Sequence, residues 1–216
     1  MTAGGTASAT TVSSGGTQYD AGTATNAVLS GGTQVVFGSA AGTTVDFGGT
    51  ESIQSGGTAS GTTLSAGGIQ YDAGTASATL LAGGMQVVVS GGAINGATIS
   101  AGTLELQSGA TAGSSTITFS GGGTLKLDGT GAFGFLVAGF AVPDAFDLSA
   151  INFASATKQY SGNTSTGTLT VGDGTHSASI LLLGNYTLAS FNLGAESGGG
   201  SGTVVTDPPL ITPPHG

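Results

Sequence analysis

The chain has 216 residues, of which 43 are Gly, 33 Thr and 25 Ser, and only 6% are charged, against about 25% in ordinary domains. It has no Arg and two Lys (Lys126 and Lys158) against eleven carboxylates, for a net charge of -9. That balance excludes the cationic clusters that nucleic-acid binding needs.

A mean hydropathy of +0.30 separates the chain from disordered segments, and no Gly-X-Y period makes it collagen. The longest apolar window, Phe133 to Val142, is interrupted by Gly134 and Gly139, so no membrane-inserting segment is predicted. The absence of Cys fits a secreted bacterial protein. The start, MTAGGTAS, has neither a basic nor an apolar signal region, and the sequence reads as a fragment carrying an added Met.

From the N-terminus the chain repeats itself. SGGTQYDAGTATNAVLSGGTQVVF, from Ser14, returns as AGGIQYDAGTASATLLAGGMQVVV, from Ala66, at an offset of 52 residues. A finer period underlies the echo. The pattern apolar-x-x-Gly gives a column Val12, Val28, Val45, Leu64, Leu80, Ile99 and Ile117, with a step of roughly 17 residues. Before these residues stand Thr11, Ala27, Thr44, Thr63, Thr79, Thr98 and Thr116, and a Gln/Glu column follows at Gln18, Gln34, Glu51, Gln70 and Gln86. The runs are rich in β-branched residues, with Gly at the corners.

A unit this short cannot bury its own apolar face, but stacked copies can. The sequence therefore predicts an all-β, right-handed parallel β-helix (a solenoid) of about 17-residue rungs, spanning 1–120. In this reading Thr and Gln ladders satisfy one another along the axis. The repeated Tyr19-Asp20 and Tyr71-Asp72 are solvent-facing decoration, three rungs and about 14 Å apart.

From Gly121 the composition shifts, with Phe at 133, 135, 140, 146, 153 and 191 among continued alternating runs. Residues 121–207 read as a β-rich capping module that closes the open solenoid end. Residues 208–216, PPLITPPHG, read as a Pro-rich tail or linker.

Little chemistry is visible. His176 and His215 lack the partners of a metal site, and the Ca-binding nonapeptide is missing, leaving Asp144, Asp147 and Asp173 as weak calcium candidates. No cofactor is implied. A polysaccharide lyase would need a cation beside the abstracted proton, and there is no Arg. The matched pair Asp20 and Asp72 lies too far apart for an inverting glycosidase, which needs about 6.5–9.5 Å. The chain is expected not to be an enzyme. An ice-binding solenoid would present two outward Thr columns, and the phase read above supplies one.

SGGTQ, AGGIQ and AGGMQ, followed by A-x-x-T/A-V/L-x-x-GG over about residues 5–120, resemble the passenger strand-loop-strand repeat of AIDA-type autotransporter adhesins. The segment from Phe140 to Asp207 is similar to modules of large secreted alphaproteobacterial proteins. The first resemblance implies an extracellular or surface-displayed, outer-membrane-associated β-helix that adheres to itself or to host and matrix surfaces. It also implies a heptosyltransferase partner that glycosylates Ser or Thr, with Ser14, Ser30, Ser55 and Ser90 as candidate acceptors. No C-terminal membrane barrel of the type that exports such passengers is expected within these 216 residues, which leaves the export route open. The functional expectation is a non-enzymatic adhesin or structural passenger; an ice-binding solenoid and a polysaccharide-acting β-helix enzyme are the alternatives.

Overall fold

The computed structural model describes residues 2–207, so the Pro-rich segment 208–216 lies outside the described residues. The first rung consists of β1 (Thr6–Ser8), β2 (Thr11–Ser13) and β3 (Thr17–Asp20). The second is β4 (Thr23–Thr25), β5 (Val28–Ser30) and β6 (Thr33–Val36), and the third β7 (Ser39–Ala41), β8 (Thr44–Val45) and β9 (Thr50–Ile53). The fourth is β10 (Thr58–Ser60), β11 (Thr63–Ser65) and β12 (Ile69–Asp72). In the next two rungs the corners are absorbed into continuous strands, β13 (Thr75–Val88) and β14 (Ala93–Leu106). The result is a parallel β-solenoid of about 8 turns with roughly 18-residue rungs.

Each rung has three faces, named here by their inward residues. The alanine face stacks Ala7, Ala24, Ala40, Ala59, Ala76 and Ile94. The leucine face stacks Val12, Leu29, Val45, Leu64, Leu81, Ile99 and Phe119. The glutamine face stacks Gln18, Gln34, Glu51, Gln70, Gln86 and Leu104.

The leucine face corrects the column read from sequence at three places. Val28 and Leu80 point outward, and the buried residues are Leu29 and Leu81, each 0% exposed. Ile117 is also inward, but it stacks on Ala97, while Phe119 continues the column from Ile99. The Thr column splits for the same reason: the outward series is Thr11, Val28, Thr44, Thr63, Leu80, Thr98 and Thr118, whereas Thr79 is buried. Two adjacent apolar residues, Val28-Leu29 and Leu80-Leu81, do not reveal which one faces in. The backbone decides it. Gly42, Gly61 and Gly96 turn the chain with positive φ three residues before the inward apolar residue, and Asn26 (φ 53°) and Ala78 (φ 52°) take that role without a Gly.

The Gly-Gly corners have two causes. The first Gly has positive φ, as at Gly67 (φ 78°). The second admits the neighbouring rung: a Cβ on Gly68 would lie 2.2 Å from the Val45 carbonyl oxygen.

Beyond β14 the stack continues through β15 (Thr116–Phe119), β16 (Thr124–Leu127), β17 (Gly131–Ala138) and β18 (Ala145–Leu148), all in parallel pairing. Gly121 falls between two of these strands, and after it the inward residues become Leu125, Phe135 and Phe146. The end of the stack is covered by β19 (Thr157–Gly162), β20 (Thr166–Gly172), β21 (Ser177–Leu183), β22 (Asn192–Ala195) and β23 (Thr203–Thr206). β21 extends the leucine face parallel to β17 and then pairs antiparallel with β20. β23 lies antiparallel on β18 and so closes the glutamine face. Phe119, Phe140, Phe146 and Phe191 cluster beneath this cover, Phe140 stacking on Phe146 with ring centroids 4.2 Å apart.

Candidate functional site

The outer surface of the alanine face is a grid of hydroxyls. In β1, β4, β7, β10 and the first part of β13, the outward residues are Thr6 and Ser8, Thr23 and Thr25, Ser39 and Ala41, Thr58 and Ser60, and Thr75 and Ser77. Nine of these ten are Ser or Thr, so two columns run side by side, with rungs about 4.8 Å apart and columns about 6.7 Å apart. Some hydroxyls lie near a carbonyl of the preceding rung, as Ser77 Oγ does to Ala59 O at 3.3 Å. The alanine face thus carries paired hydroxyl columns, of which the first is mostly Thr and the second holds one Thr, Thr25, and so falls short of two Thr columns.

Charge is nearly absent from the exterior of this part of the stack. Residues 2–104 contain no Lys, Arg or His, and four carboxylates: Asp20, Asp46, Glu51 and Asp72. Three of these, Asp20, Glu51 and Asp72, are 0% exposed. Asp46 alone points outward, and it accepts a hydrogen bond from Ser65 Oγ at 3.0 Å.

The burial of Asp20 and Asp72 corrects their reading as surface decoration. Tyr19 and Tyr71 are exposed as expected, but side chains alternate along a strand, and Asp20 and Asp72 share the inward column of Val36, Ile53 and Val88. Asp20 accepts from Gln18 Nε2 at 2.9 Å and from Gln34 Nε2 at 2.6 Å, and Gln34 Oε1 accepts from Thr43 Oγ1 at 3.1 Å. Glu51 Oε2 accepts from Gln70 Nε2 at 2.6 Å and from Thr62 Oγ1 at 2.9 Å. The Gln column is met inside the core by Thr43 and Thr62, and not by the Thr column read from sequence, whose members Thr44 and Thr63 point outward. A substrate cannot reach these carboxylates.

The calcium candidates are held separately. Asp144 is buried, and its two oxygens accept from the backbone N–H groups of Gly123 (3.2 Å) and Ala141 (3.0 Å). Asp147 lies on the outer side of β18, in register with Lys126 and in the field of Glu196; burial, then Glu196, raises it above the usual carboxylate range. Asp173 accepts from the backbone N–H groups of Asn152, Thr175 and His176, which hold it well below that range. Among the described residues no three His or carboxylate side chains come together as a metal site.

All four candidate acceptor serines are exposed, at two different corners. Ser14 follows β2 and Ser30 ends β5, both on the way into the glutamine face; Ser55 and Ser90 lie between that face and the next rung. A groove of about 440 Å³ between segments 106–113 and 129–135 contains Phe133 and Phe135 but no ionisable side chain, so it offers no general acid or base.

No family model matches the chain, and no curated protein matches it. Among solved structures, it is similar to a crystal structure of a TibA fragment that was hyper-glycosylated in a TibC-catalysed reaction. The identity is 31% and the TM-score 0.49, over 63% of this chain and 55% of that one. The chain spans about half of that fragment's length.

Proposed function

We propose that this chain is a non-enzymatic adhesive passenger, displayed at the bacterial cell surface or released outside the cell, that associates with copies of itself or with matrix surfaces. The observation that carries this reading is the exterior of residues 2–104: hydroxyl columns in register, with Asp46 as the one outward carboxylate. Such faces do not repel one another. Each hydrogen bond between them contributes about 0.5–1.5 kcal/mol, so affinity comes from repetition along the stack. The resemblance of the Gly-Gly-x-Gln repeats to AIDA-type passengers points the same way. Glycosylation by a heptosyltransferase belongs to the proposal, with Ser14, Ser30, Ser55 and Ser90 as acceptors available at the surface.

Cells displaying the chain are expected to clump, less so as whole rungs are deleted, and with only modest dependence on salt. Dispersed cells that bind no matrix polymer would refute adhesion. The double hydroxyl column of the alanine face favours ice binding as a second reading. That reading requires the purified chain to reshape growing ice crystals, and Thr23→Tyr together with Thr58→Tyr to abolish the effect.

A further inference from the structure

The core of rungs three to five is short of hydrogens. Glu51 on β9 and Asp72 on β12 are 0% exposed, and each has one satisfied oxygen and one without a partner. Glu51 Oε2 takes Gln70 and Thr62, and Glu51 Oε1 takes nothing. Asp72 Oδ1 takes the Gly74 N–H at 3.1 Å, the Ala76 N–H also faces the carboxylate and favours its charged form, and Asp72 Oδ2 makes no hydrogen bond. In the same columns Gln70 Oε1 and both polar atoms of the buried Gln86 are also without partners.

The groups that face these carboxylates from every packed strand can be named. β3 contributes Asp20, which is supplied by Gln18 and Gln34. β6 contributes Gln34 and Val36, and β13 contributes Gln86 and Val88. Thr43, Thr62 and Thr79 are buried at the corners leading into the leucine face. None of these is a cation, and none exists anywhere in residues 2–104. Two ionised carboxylates would stand in this core without a counter-charge.

We propose that protons complete this column, bound at Glu51 Oε1 and Asp72 Oδ2, and that their loss as pH rises loosens rungs three to five. A proton turns each orphaned acceptor into a neutral hydroxyl, which can donate to the open amide oxygens of the column. Burial raises Glu51 above the usual carboxylate range and pushes Asp72 up to about 7, with the Glu51 charge adding to the latter. Both groups bind protons more tightly folded than unfolded. Their contribution is therefore full below the unfolded carboxylate range near pH 4 and is lost as pH rises through about 7.

The test compares thermal melts and native-state hydrogen exchange of the full chain at pH 5 and pH 8, with exchange corrected for the intrinsic rate. The expected result is a lower Tm at pH 8, with at least a tenfold loss of protection confined to β9, β12 and β13, while β20 and β21 keep theirs. The double variant Glu51→Gln, Asp72→Asn carries permanent amide hydrogens and should flatten the pH dependence of Tm. Uniform protection loss, a Tm unchanged by pH in the wild-type chain, or an equal slope in the folded double variant would overturn the proposal. So would a stoichiometric metal ion retained after dialysis, because a cation would then balance the carboxylates. The exchange measurement needs no variant, so a double variant that fails to fold leaves the outcome decided by the wild-type chain.

Discussion

The two ends of the molecule build their interiors differently. In β3, β6, β9, β12 and β13 the inward residues of the glutamine face are Gln18, Gln34, Glu51, Gln70 and Gln86, joined by Asp20 and Asp72. From β14 onward the same positions hold Leu104, Leu125 and Phe146, and the antiparallel β23 then closes them with Val205. Parallel in-register stacking places like side chains one above another, so an amide can reach a carboxylate on the next rung, as Gln34 reaches Asp20 and Gln70 reaches Glu51. The column turns apolar while the strands are still parallel, at Leu104, Leu125 and Phe146, and the antiparallel β23 then covers it. Polar interiors here depend on register. Apolar ones depend on volume.

The sharpest way to break this comparison is to place a charge where neither device can hold it. Leu64 is 0% exposed on the leucine face, and Leu64→Asp should cost about 3–5 kcal/mol or more, because no cation can pair with it. Thr63→Asp, one residue earlier and outward, should cost less than about 1 kcal/mol. Equal melting temperatures for the two variants would refute the assignment of faces.

A second pair sets volume against register. Phe146→Ala removes a fully buried ring stacked on Phe140 and should cost about 3–5 kcal/mol. Gln34→Ala deprives Asp20 and Thr43 of a partner and should cost about 1–3 kcal/mol. Chemical denaturation of both variants measures the difference. A Gln34→Ala loss as large as that of Phe146→Ala would mean that the polar column holds its end as strongly as the aromatic cluster holds the other.

The smallest effect concerns ions. Asp144 and Asp173 already spend their oxygens on backbone N–H groups. Adding calcium or a chelator should therefore leave the circular dichroism spectrum and Tm unchanged. A spectrum that becomes β-rich only with calcium would place a metal in the cap.

Much of the fold was legible because repetition writes it into the sequence. The Gly-Gly corners, the Gln column and a step of about 17 residues, against roughly 18 in the structure, follow from residues that recur in phase. The errors came where a neighbour of similar kind hid the phase. Val28-Leu29 and Leu80-Leu81 each offer two apolar residues, and the turn that selects the second sits at Asn26 or Ala78 with no Gly to mark it. Asp20 and Asp72 were misplaced because a carboxylate suggests solvent. Period-two alternation from Gln18 and Gln70, or alignment with Val36 and Ile53, was the signal that places them inside. The hydroxyl grid of the alanine face is hidden for a related reason: its inward residues are Ala, too small to mark a core column against the Gly, Ser and Thr around them.

The hydrogen bonds between rungs run along the long axis of the stack, and this fixes its response to tension. A pull on the two ends of the solenoid loads the outermost rung first, a few bonds at a time, and does not shear all the columns together. Each rung that peels away releases about 18 residues of chain, about 60 Å when extended. A tether built this way lengthens stepwise under drag while the remaining rungs keep their faces.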